Sequence, residues 1–369
     1  MAFSLNMNNL CIMRKTTILL GAGAMIPFGG PTTKDLTDLL NENEICKNIF
    51  QYLQKNYTDN CNFETLLTTL EILFEYNVGE RKRYEQSIQK TSINNAVFQL
   101  KRVLRHYKLE DIWEVYKCSI NKIIAKVIEY DNQIKINTNI NHHKNLYEIL
   151  LNESENNWLK IYSLNYDRLI PHLFHESEIY EGVTNQRFDF DLNNFIDHNI
   201  THFNLHGSIY VDYGKGYDLH LTNAPVKIEE SYSLYGGNPT EKKVFLPIIA
   251  GYHKTQRTMS GPFNFGFTAF SYDCNTCDKL VLIGYSFGDP HINSIIRNYV
   301  KKGKTRILII DLHESESEPF KLDYKISETF DFITTFNSNK DPQLDKTNGI
   351  GLYLKGFDNY ILEYNSFII

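Results

Sequence analysis

Short, uniformly apolar runs alternate along this chain with segments whose apolar positions recur three and four residues apart. Thr16–Leu20 is apolar and partly β-branched, and it meets Gly21-Ala22-Gly23 as a strand meets a tight turn. Gly29-Gly30-Pro31 followed by Thr32 and Thr33 marks a helix start with a threonine cap. Residues 35–143 then predict a helical insertion, with helices over Phe63–Phe74, Ile93–Tyr107 and Ile112–Ile128 and a polar, Asn-rich loop over Asp131–His143. Strands return afterwards. Leu159–Leu164, Ile200–Leu205, Lys279–Ile283 and Arg306–Asp311 predict strands, interleaved with helices over Arg168–His175, Phe263–Thr276 and Pro290–Val300. Ile209–Leu221 predicts a hairpin, and the proline- and glycine-bearing stretch Thr222–Gly261 a loop-rich lobe over a site. The tail from Phe320 alternates short apolar runs with turns, and the pattern assigns it no element.

Strands alternating with helices predict an α/β fold, a Rossmann-like doubly wound parallel sheet with a large helical insertion. Its catalytic domain would comprise residues 1–34 and 144–315, with the insertion at 35–143 and a C-terminal extension at 316–369. Ligands of such sheets bind beyond the carboxyl ends of strands.

Composition narrows the function classes. Apolar residues make up 42% of the 369 and charged residues 22%, as in a soluble globular protein. A formal charge of −6 supplies no basic field for nucleic acid. The six cysteines have no disulfide-framework spacing and suit a reducing cytoplasm. The apolar runs are of strand length, so no membrane span is expected, and Met1–Lys15 lacks the pattern of a signal peptide.

Four motifs end apolar strands. Gly21-Ala22-Gly23 can bring backbone N–H groups to a pyrophosphate, although Ile26-Pro27 stands where a third fingerprint glycine belongs; an ordinary tight turn is the alternative. Asn165-Tyr166-Asp167 offers an amide and a carboxylate to a ribose and a carboxamide, while Asp167 also fits as the cap of the next helix. His206-Gly207 places a general base at a strand end, where a hydrogen-bonded core histidine is the alternative. Gly284-Tyr285-Ser286-Phe287-Gly288-Asp289-Pro290 offers donors to phosphate, with Asp289 read as a helix N-cap. It also matches the G-x-S-x-G nucleophile elbow, but only His291 and His313 follow it as partners. Cys274 and Cys277 form a C-x-x-C with no second pair at zinc-site spacing, so no metal is expected.

Taken in order, Leu19–Ala24, Leu164–Asp167, Leu205–Ser208 and Ile283–Asp289 resemble the bacterial sirtuin-like NADase family of antiphage defence systems. The resemblance spans roughly residues 16–311. It implies NAD+ bound as substrate across the sheet, with Gly21, Ala22 and Gly23 on the pyrophosphate side and Gly284 and Ser286 at the phosphate or adenosine ribose. Asn165 and Asp167 would lie near nicotinamide and its ribose, His206 would be the catalytic histidine, Phe28 would cover the nicotinamide, and Asp311 would reach the adenosine end. Protein-deacylating sirtuins carry a four-cysteine zinc module between the histidine and the Gly-Ser strand; this chain has one C-x-x-C there. The reaction implied is therefore hydrolysis of NAD+ to nicotinamide and ADP-ribose, with an NAD-dependent deacylase and a non-catalytic NAD or ADP-ribose binding subunit as alternatives. The resemblance further implies a cytoplasmic homo-oligomer controlled by a separately encoded partner such as a HerA-type hexameric ATPase, with the insertion as assembly surface.

Overall fold

The computed structural model describes residues 15–56, 61–77, 108–136, 141–153, 158–174, 178–182, 192–213, 219–221, 263–301, 304–311, 328–330, 343–345 and 350–353, with Pro225, Ile248 and Thr258 between them. Six strands run parallel in one sheet: β1 (Thr16–Leu20), β2 (Leu159–Ser163), β3 (Ile200–Asn204), β6 (Lys279–Ile283), β7 (Arg306–Ile310) and β9 (Ile350–Tyr353). Their spatial order is β3-β2-β1-β6-β7-β9, and β8 (Gln343–Asp345) pairs antiparallel on the outer edge. Numbered among parallel strands alone, this is the 3-2-1-4-5-6 order of the doubly wound Rossmann arrangement, whose direction switches between β1 and β6. Strands β4 (Val211–Tyr213) and β5 (Leu219–Leu221) form a separate antiparallel pair, as the hairpin pattern predicts.

The central runs are largely apolar and almost wholly buried because both faces of the sheet are covered. On one face Ile18, Leu20, Ile161, Val281 and Ile283 join a cluster with Met25, Phe28, Tyr130 and Leu146. On the other, Leu19, Tyr162, Phe203 and Leu282 pack against α7 (Leu192–Asp197), α8 (Phe263–Thr276) and α9 (Pro290–Tyr299) through residues such as Phe195, Phe270 and Ile292. The one-residue alternation between clusters is the pleat of the strand.

Helices α1 (Thr33–Asn41), α2 (Glu44–Asn56), α3 (Phe63–Asn77) and α4 (Leu109–Ile136) build the inserted layer. Thr32 caps α1 in a reciprocal capping box: its hydroxyl accepts from Asp35 N–H at 3.1 Å, and the Asp35 carboxylate accepts from Thr32 N–H at 2.8 Å. The insertion's core is continuous with the sheet domain, since its buried cluster includes Tyr166, Ile209 and Tyr210.

Several expectations need correction. Asp131–His143 is not one loop: α4 runs on to Ile136, and α5 (Asn141–Glu153) begins at Asn141. Asp131 reads as polar and exposed, yet it is fully buried and bonded to the sheet domain, which holds this end of α4 in place. The helix after β2 is the single turn α6 (Leu169–Leu173), because Phe174 is already extended. The tail, unassigned by pattern, contributes β8 and β9 to the main sheet. The helix expected at Ile93–Tyr107 and nearly all of Thr222–Gly261 lie outside the described residues.

The β1 and β6 turns meet backbone on backbone. Gly284 has φ +61°, and a Cβ there would stand 2.0 Å from the Ala24 nitrogen; a Cβ on Gly21 would stand 2.3 Å from the Gly284 carbonyl oxygen. Gly284→Ala is expected to cost about 3 kcal/mol or more in denaturant unfolding. Gly288→Ala, whose Cβ would meet nothing closer than the Ser286 hydroxyl at 3.4 Å, is expected to change stability by less than about 1 kcal/mol in the same measurement.

Candidate active site

The site's floor is the β1/β6 switch point. Gly21 N–H donates to Ile283 O at 2.9 Å, Gly23 N–H to Gly284 O at 3.0 Å, and Gly284 N–H to Ile310 O at 2.8 Å. The glycine turn is thus spliced into the neighbouring strand end, and the Gly21 and Gly23 donors are committed within the protein. Among the described residues no backbone acceptor meets the Ala22 N–H. The 3-10 helix Ala22–Phe28 follows directly and ends on Gly29 at φ +78°.

Asn165 stands beside this floor. Its amide Nδ2 donates to Gly21 O at 3.1 Å, and its own N–H donates to the Ser163 hydroxyl at 3.1 Å. Asn204, at the end of β3, donates from its amide to Asn165 O at 2.7 Å and more weakly to Asp167 O at 3.3 Å. Ser208 Oγ and Ile209 N–H both donate to Tyr166 O at 3.0 Å. The loops after β2 and β3 are therefore fastened to each other, and through Asn165 to the glycine turn. Sequence reasoning passed over Asn204, whose bridging role depends on β2 and β3 being neighbours.

Asp167 is buried, and its Oδ1 accepts from Leu169 N–H at 2.8 Å, the local bond of a residue starting α6. Burial pushes its carboxyl up to about 6; the Leu169 bond opposes that rise, and the nearby Asp131 carboxylate adds to it. Asp131 in turn accepts from the Tyr210 hydroxyl in a short bond, faces His172 Nε2 at 3.1 Å and receives Arg168 N–H at 3.3 Å. One carboxylate from α4 thereby holds both loops that carry the expected catalytic groups.

His206 lies in the turn two residues past β3, buried at 5% exposure, and its Nε2 lies 3.0 Å from Asp289 Oδ2. The distance is that of an ion pair, although the ring N–H is out of line for a full hydrogen bond. Asp289 is the N-cap expected from sequence, its Oδ1 accepting from His291 N–H at 3.0 Å and Ile292 N–H at 3.4 Å. Its second oxygen and the pairing with His206 were missed, because a local capping pattern accounts for only one oxygen of a carboxylate.

The β6 loop does not form a nucleophile elbow. The non-glycine residue at positive φ is Phe287, at 55°, rather than Ser286, and His291 lies on α9. Ser286 and Gly288 are exposed on this loop. Asp311 is half-buried just past β7, next to the β6 end. Phe28 is buried in the cluster shared with Tyr130 and Ile134 of α4, so the helical layer covers it. Cys274 and Cys277 lie buried at the end of α8, and burial pushes the Cys277 thiol up to about 12. No group of three or more metal-ligating side chains occurs among the described residues, and no described helix is long and apolar enough to cross a membrane.

Asp167 offers a test through pH. The fold raises its pKa from 3.8 to about 6, so it favours the protonated form. The resulting stability is complete below about pH 4 and is lost as pH rises through about 6. In Asp167→Asn, which keeps an acceptor for Leu169, unfolding free energy is expected to decline less between pH 4 and 7 than in wild type. The difference should be about 2–3 kcal/mol across that window, read by denaturant titration.

No protein-family model matches the chain, and no curated protein matches it. One solved structure that overlaps it, described as "The Structural basis of Sirtuin Substrate Affinity", is 12% identical over 99% of each chain, with a TM-score of 0.36. A likeness that slight carries no argument; the strand order and the loop geometry do.

Proposed function

We propose that this chain is an NAD+ glycohydrolase that cleaves the nicotinamide–ribose bond, acting in antiphage defence by depleting NAD+. The supporting observation is the convergence of the loops after β1, β2, β3 and β6 at the sheet's switch point, with Asn165 bonded to the glycine turn and His206 paired with a carboxylate. A dinucleotide laid across this crevice would set its pyrophosphate near Ala22 and the Ser286 loop and its nicotinamide ribose near Asn165.

The chemistry asks little covalent work of the protein. The C1′–N bond breaks through an oxocarbenium-like state, and its electron pair neutralises the departing pyridinium nitrogen. Water adds at C1′, and its proton passes to His206 as base. Asn165 orients ribose and water, an ordering contribution that needs a rigid mount. Asp167 serves mainly to hold the loop, consistent with its bond to Leu169. We assign restraint of this activity to oligomerisation and to a separately encoded ATPase of the HerA type, docking on the helical layer.

The deciding measurement is nicotinamide release from NAD+, with and without that ATPase. Asn165→Ala and His206→Ala are each expected to lower it about 10²-fold or more. Equal turnover in wild type and both variants would sink the site assignment. NAD+ or ADP-ribose binding with no turnover under either condition would favour a non-catalytic subunit instead.

A further inference from the structure

We propose that Asp289 is a positioning residue for His206, fixing which ring nitrogen carries the proton and holding the imidazolium as it forms. The proposal rests on the hydrolytic reading of the site. Its basis is the division of labour between the two carboxylate oxygens. Oδ1 takes the N–H groups of His291 and Ile292 at the start of the ten-residue α9, while Oδ2 lies 3.0 Å from His206 Nε2. A helix N-terminus favours the anionic form of its cap, and both partner side chains are 7% exposed, so water screens the pair little.

The mount is rigid. Tyr285 donates its hydroxyl to Asp289 O at 3.2 Å and lies 2.6 Å from Asn293 Oδ1, and Asn293 Nδ2 donates to Phe287 O at 2.9 Å. The β6 loop is therefore pinned to α9 on both sides of Asp289. A carboxylate beside Nε2 favours the tautomer that carries its proton there, and it stabilises the imidazolium once the ring gains a second proton. The present misalignment of the N–H suits a contact that tightens when substrate is bound. Among the described residues, titratable groups near the pair include His291 at the start of α9, Tyr285 from the same loop, Tyr166 from the β2 loop, and Glu64 from α3, whose charge reaches Tyr166 as that of Asp289 does.

Capping alone predicts a different outcome from pairing, and Asp289→Asn separates the two. Asparagine caps a helix as well as aspartate does, so the fold is retained while the charge is lost. The His206 ring, identified among the twelve histidines by its disappearance from the NMR spectrum of His206→Gln, is expected to titrate at lower pH in Asp289→Asn than in wild type. Nicotinamide release is expected to fall about 10-fold or more, with its pH profile displaced. Asp289→Ser, a cap too short to reach His206, is expected to do the same. An unmoved titration in both variants overturns the proposal, and so does a moved titration with unchanged turnover. A wild-type chain that releases no nicotinamide would sink the hydrolase reading instead, while the ring titration still decides the pairing.

Discussion

The contact on which this structure depends is backbone against backbone, where the turn after β1 meets the turn after β6. Three glycines let two strand ends approach until a single Cβ would collide with main-chain atoms. The approach converts a sheet's switch point, which in general is only an open crevice, into a continuous hydrogen-bonded floor. The usual account of a glycine turn gives its N–H groups to a ligand. Here those of Gly21 and Gly23 hold the floor itself, and in the proposed reading recognition would fall to Ala22 and to side chains standing at its rim.

Those side chains are mounted by buried and half-buried polar groups with several partners each. Asn165, Asn204, Asp131 and Asp289 each join segments that are distant in sequence. Such groups would be costly in a buried setting without partners, and well partnered they fix one arrangement. Asp131 does this between layers, since it belongs to the helical insertion and grips the loops after β2 and β3. The insertion is therefore part of the site's construction, and Tyr166, Ile209 and Tyr210 share its apolar core.

How much of this the sequence discloses follows from the range of each interaction. Lys279–Ile283 and Phe263–Thr276 are legible to the residue, because a two-faced strand and a long helix are written in consecutive positions. The Thr32 capping box and the Asp289 cap are legible too, their partners being two or three residues away. Asp131 misleads, since its local setting is polar and its partners lie some forty to eighty residues on. The pairing of His206 with Asp289 is invisible for the same reason: only the parallel register of the sheet puts the ends of β3 and β6 on one side of the molecule. Strands β8 and β9 escape because elements of three and four residues carry too little pattern to distinguish them from a turn-rich tail.

The splice between the Gly21 and Gly284 turns also has a meaning in time. Ribosomal synthesis delivers β1 first and its β6 neighbour far later, after the whole helical insertion has emerged. Until then the glycine turn has no surface to close upon, and His206 has no carboxylate to face. A truncated or still-growing chain lacks the backbone contact on which the candidate site stands. The floor closes only with the segment that supplies β6, so the topology itself delays completion of the candidate site until that strand is made.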